Sequence, residues 1–78
     1  MGPLNVRAMA YDARRDLLLA IAFLPGELWA LRYADGVPVA RERVGNKSMS
    51  LALDPSGDRL YLGSEDGVFR VDLDTFLR

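Results

Sequence analysis

The stretch SMSLALDPSGDRLYLGSEDGVFRVDLDT, residues 48–75, decides the fold, because residues 6–33, VRAMAYDARRDLLLAIAFLPGELWALRY, carry the same pattern. At a shift of 42 residues Met9, Ala10, Tyr11 and Asp12 fall on Leu51, Ala52, Leu53 and Asp54. Asp16, Leu18, Leu19 and Ala20 fall on Asp58, Leu60, Tyr61 and Leu62. Beyond residue 23 the shift becomes 40, since the connection at 23–27 is two residues longer than that at 65–67, and Trp29, Leu31 and Tyr33 then match Phe69, Val71 and Leu73. The apolar phase survives the gap, so three consecutive segments of alternating residues repeat in register, as half-buried strands do.

Working outward, residues 6–12 alternate small Ala8 and Ala10 with larger Arg7, Met9 and Tyr11. A polar turn at 12–16 leads to an apolar strand at 17–23, and the Pro25-Gly26 loop to a strand at 28–33 with Trp29, Leu31 and Tyr33 on one face. Asp35-Gly36 reads as a favoured hairpin turn. Residues 38–44 form a strand whose Pro38, Arg41, Glu42 and Arg43 suit an exposed edge. The second copy gives strands at 48–54, 59–64 and 68–73. Seven strands are therefore expected, four and then three, with helix essentially absent. Ala10 and Ala52 should be equivalent, as should Trp29 and Phe69. Leu77 and Arg78 fall opposite Val37 and Pro38, where a fourth strand would only be starting, so the third strand of the second copy is expected to have an unpaired edge.

A period of about 40–45 residues built of short strands and tight turns is that of a β-propeller blade, which cannot bury both its faces alone. Residues 48–75 in particular resemble the blade repeat of YVTN-type, lactonase-like and WD40-like propellers, with an Ala-x-x-Pro-x-Gly turn before an apolar strand and an Asp-Gly turn before Val-x-Asp-Leu. The first copy departs from that pattern at Ala13 and Arg15, which stand where the second has Pro55 and Gly57. The resemblance implies an all-β chain of about two antiparallel four-stranded blades: blade one at 6–47, and an incomplete blade two at 48–78 lacking its outer strand. It says little of function, because propellers host many unrelated activities.

With 78 residues and no Cys, the chain has a marginal core and no disulfide to reinforce it. No His is present either, which removes the commonest general base and, with Cys, the usual zinc ligands. Ten Lys plus Arg balance eleven Asp plus Glu, so neither nucleic acid nor an anionic membrane surface is recommended as a partner. The longest apolar run, 17–24, is far too short for a membrane helix, and residues 1–6 carry no signal of secretion or myristoylation, which leaves a cytoplasmic location as the default expectation.

Among candidate site residues, Asp54-x-Ser-Gly-Asp58 is read as a turn, since it lacks the further ligands of a calcium loop. Glu27, Glu65 and Asp66 sit in connections that in propellers crowd one end of a central channel, where converging carboxylates bind a cation or a sugar. Arg7, in the large phase of its strand, either snorkels into a wet channel or contacts an anion. Asn46-Lys47-Ser48 matches a glycosylation sequon and is discounted. Trp29 is placed in the core between blades rather than on a sugar. Ser48, Ser50, Ser56 and Ser64 have no base in a recognisable relation to them.

The expectation is thus a binding or scaffolding module without a cofactor, its candidate ligand surface Arg7, Glu27, Lys47, Glu65 and Asp66. Its partners would be other blades, from self-association or a longer chain, and a protein or small molecule at the loop end. Two alternatives stand beside it. One is a segment of a lactonase-like or dehydrogenase-like enzyme with its catalytic residues elsewhere; the other is a ring-forming lectin.

Overall fold

The computed structural model describes residues 5–23, 26–45 and 47–78, which form two antiparallel sheets and one short helix. Sheet one holds β1 (Val6–Asp12), β2 (Leu17–Ala22), β3 (Glu27–Arg32) and β4 (Pro38–Arg43) in chain order; sheet two holds β5 (Ser50–Leu53), β6 (Arg59–Ser64) and β7 (Gly67–Asp72). Within each sheet every strand pairs with its neighbours in sequence, as short polar turns between alternating segments dictate.

The two sheets share one pairing register. Ala10 lies opposite Leu19 and Ala52 opposite Tyr61, while Ala20 lies opposite Trp29 and Leu62 opposite Phe69. The β1–β2 and β5–β6 turns also start alike, the Asp12 carboxylate accepting the Arg14 N–H at 3.1 Å and the Asp54 carboxylate the Ser56 N–H at 3.0 Å.

Two connections differ from the sequence expectation. Asp35-Gly36 does not form a two-residue turn: the Arg32 N–H donates to the Val37 carbonyl across four residues, and only Gly36 is left-handed, at φ +74°. A two-residue type I′ turn needs both central residues at positive φ. Leu73 does not end a strand but opens a one-turn helix, α1 (Leu73–Phe76). Asp72 caps it by accepting the N–H groups of Asp74 and Thr75, and burial of Leu73 and Phe76 holds it down.

The core lies between the sheets. Leu17, Leu19 and Ile21 of β2, with Leu28 and Ala30 of β3, pack on Leu60 and Leu62 of β6, and Leu51, Leu53 and Val71 flank them. Leu73 and Phe76 close one end. Each fully buried Leu or Ile contributes roughly 1.5–3 kcal/mol. The faces that meet are not equivalent ones, because Leu19 corresponds to Tyr61 and Leu62 corresponds to Ala20. The sheets therefore stack front to back, and their backbones approach chiefly at β1 and β5.

The opposite face of sheet one is roofed by its own long side chains. Arg41 lies over the Trp29 ring at 5.1 Å, Arg7 over Phe23 at 4.4 Å, and Tyr11 and Tyr33 meet at 5.0 Å. The Tyr11 hydroxyl donates to Asp16, a bond that holds the phenol above its ordinary pKa. Trp29 thus shares the register of Phe69 without sharing its place: Phe69 faces the gap between the sheets, near Gly45, whereas Trp29 faces outward.

At the tight-turn end the first copy grips the second. Arg15 donates to the buried Asp12 carboxylate at 2.8 Å, to the Gly57 carbonyl at 2.7 Å and to Asp74 at 2.9 Å. Arg14 donates to the Ser56 carbonyl at 2.6 Å and to Asp58 at 2.9 Å. Gly57, left-handed at φ +79°, lies so near that a Cβ on it would come within 2.7 Å of the Arg14 side chain. Arg15, one of the two residues that break the repeat pattern, is also one of the two that cross between copies.

Arg15→Ala leaves the buried Asp12 carboxylate without its cation and is expected to cost about 2 kcal/mol in urea unfolding. Arg14→Ala, which removes a solvent-screened ion pair, should cost less than about 1 kcal/mol. Equal effects from the two would contradict this account of the clasp.

Candidate functional site

Three connections lie at the end of the sheets opposite the arginine clasp. The β2–β3 connection delivers Gly26, whose carbonyl accepts the Val44 N–H at 2.8 Å and so ties it to the end of β4. The segment leaving β4 then passes the β6–β7 turn closely: a Cβ on Gly45 would meet the Phe69 ring at 3.3 Å, and Lys47 Nζ stands 3.4 Å from Glu65 Oε2. Lys47 holds a left-handed backbone, φ +49°, that non-glycine residues adopt only at a cost. Asn5, whose carbonyl accepts the Phe23 N–H at 2.9 Å, brings the start of β1 to the same end.

The five candidate residues are spread over separate contacts. Lys47 and Glu65 form one exposed ion pair, beside the turn in which the Asp66 N–H donates to Ser64 Oγ at 3.1 Å. Glu27 lies in β3 rather than in a loop, its carboxylate accepting the Trp29 indole N–H at 3.2 Å and lying 4.0 Å from the Arg41 guanidinium. Arg7, at the bulge between Val6 and Ala8, covers the Phe23 ring. No three carboxylates among the described residues stand close enough together to hold a metal ion. Pro25 and Asn46, the residues that mark the loop and the sequon in the sequence, lie outside the described residues.

What this end offers chemically is a set of hydrogen-bonding and charged groups on tight connections, with no nucleophile–base pair among the described residues. The Ser48 hydroxyl is buried and finds no hydrogen-bond partner among them. The cluster of Glu27, Trp29 and Arg41 was only half visible in the sequence. Alternation puts Glu27 and Trp29 on one face, but the pairing of Trp29 with Arg41 depends on the β3–β4 register, which a bulge between Ala30 and Leu31 offsets.

Trp29 is the only tryptophan, so its fluorescence reports the cluster directly. Arg41→Ala uncovers the indole and should shift its emission to longer wavelength, with a stability loss of about 1 kcal/mol or less. An unchanged spectrum would mean that Arg41 does not cover the ring in solution. No family model matches the chain, and no curated protein or solved structure is significantly similar to it.

Proposed function

We propose that the chain is a pair of consecutive β-propeller blades serving as a binding or scaffolding module, with its ligand surface on the connections that carry Glu65, Asp66 and Lys47. The observation that carries this reading is the front-to-back stacking of two sheets with identical register, closest at β1 and β5. Translation-like stacking repeats indefinitely or closes into a ring, whereas a two-fold arrangement of sheets would bury equivalent faces and stop. Strands ordered from an inner β1 and β5 toward an outer β4 are what a blade presents around an axis.

On this reading the outward face of sheet one corresponds to the face of sheet two that sheet one itself covers. Met9, Tyr11 and Tyr33 stand exposed there over Leu18, Ala20 and Leu31. Such a face is completed by a further blade, from a second copy or from a longer chain. Binding rather than chemistry is the role because rigid sheets hold the connections in place while the connections have little part in the core.

Sedimentation equilibrium at micromolar concentration tests this. The 78-residue chain should associate, and Met9→Glu with Tyr33→Ser, two exposed positions, should shift it toward monomer without unfolding it. A compact, cooperatively unfolding wild-type monomer would overturn the reading. For the ligand surface, Glu65→Ser with Asp66→Ser should change stability by less than about 0.5 kcal/mol each. The pair should abolish binding of any hit from a glycan array probed with the chain; retained binding places the site elsewhere.

A further inference from the structure

The outer edge of β7 has no strand beside it among the described residues, while the edge of β3 that corresponds to it is covered by β4. Next to that edge, between β4 and the β7–α1 corner, opens a cleft of about 200 Å³ lined by Glu42, Arg70, Val71, Asp72, Thr75 and Phe76. Three charged residues line it without an ion pair among the described residues, Glu42 on β4 with Arg70 and Asp72 on β7, and of these Asp72 is engaged as the cap of α1. Val68, further along the same edge, is 77% exposed.

Sheet one supplies the template for what fits. There Leu28 lies opposite Glu42, Trp29 opposite Arg41 and Ala30 opposite Ala40. Carried over by the 40-residue shift, a strand of the β4 kind laid along β7 sets its Glu opposite Val68, its Arg opposite Phe69 and its Ala opposite Arg70. Alternation then decides which way each side chain points. Phe69 and Val71 face the gap between the sheets, so the incoming Arg points into that gap, on the side of Phe69 and toward the cleft wall that carries Glu42. The incoming Glu turns outward, diagonal to Arg70, within reach of a long side chain. Glu42 and Arg70 are thereby matched, and the small residue leaves room for Arg70.

We propose that the β7 edge binds an extended segment of another polypeptide by strand addition, antiparallel to β7, with the order small–basic–acidic across Arg70, Phe69 and Val68. Main-chain hydrogen bonds supply the general affinity and the two charges select the register. The proposal rests on the equivalence of β7 with β3, which is part of the blade reading.

The probe is a fluorescein-labelled peptide of residues 37–44 of this same chain, VPVARERV, titrated with the whole 78-residue protein and followed by anisotropy. Saturable binding is expected, weakened at least tenfold when the peptide's Arg and Glu at positions 41 and 42 are exchanged. Arg70→Glu in the protein should weaken the native peptide similarly, and a peptide with Glu42→Arg should recover part of the loss. Absence of saturable binding at millimolar protein, or equal binding of the exchanged peptide, overturns the proposal. Failure to bind together with an oligomer that Arg70→Glu dissociates also overturns it, since a second copy then occupies the edge. The blade reading keeps its own test, the sedimentation of the Met9 and Tyr33 variant, which is read without the peptide.

Discussion

Everything in this chain depends on one dry contact, that of Leu17, Leu19, Ile21, Leu28 and Ala30 with Leu60 and Leu62. A chain this small has few such residues to bury, and neither sheet has a second apolar layer of its own. Losing the contact would leave sheet one apolar on both faces and sheet two with its leucines in water. The same contact fixes the relation between the copies, since it joins the odd-numbered face of β2 to the even-numbered face of β6. From that asymmetry follow the outward-facing Trp29, the roof of arginines and tyrosines above Ala20, and the placing of Phe69 in the gap.

Hydrophobic contact alone does not fix how the sheets slide on each other. The arginine clasp does so at one end. Arg15 joins a buried carboxylate of the first turn to a backbone carbonyl of the second and to the first turn of α1, and so measures the distance between copies with directed bonds. At the other end the backbone bond from Val44 to Gly26 and the approach of Gly45 to Phe69 hold the connection between the sheets. The clasp has a direction: the second turn carries Ser56 and Gly57 where the first carries Arg14 and Arg15, so it accepts a grip and has no arginine with which to give one.

The strands and their pairing were legible because alternation and turn residues are local signals. The shift of 42 residues, giving way to 40, carries Ala10 opposite Leu19 onto Ala52 opposite Tyr61, and Ala20 opposite Trp29 onto Leu62 opposite Phe69. What was not legible is what depends on the third dimension. Sequence phase puts Trp29 and Phe69 together, but which side of a sheet meets its neighbour is set by stacking, and the first sheet has only one neighbour here. Leu73 continued the alternation of β7, yet Asp72 two residues before Asp74 is also a helix cap, and burial of Phe76 decided between them. Glu27 looked like a loop carboxylate because the Pro-Gly signal lies beside it, whereas pairing with Arg43 draws it into β3.

The front-to-back stack is most directly tested by intrachain nuclear Overhauser contacts between methyl groups. The account predicts contacts of Leu19 and Ile21 with Leu60 and Leu62, and of the Trp29 ring with Ala20 but not with any residue of β6. Contacts from Trp29 or Ala20 to Leu62 within one chain would mean that equivalent faces meet, and would contradict it.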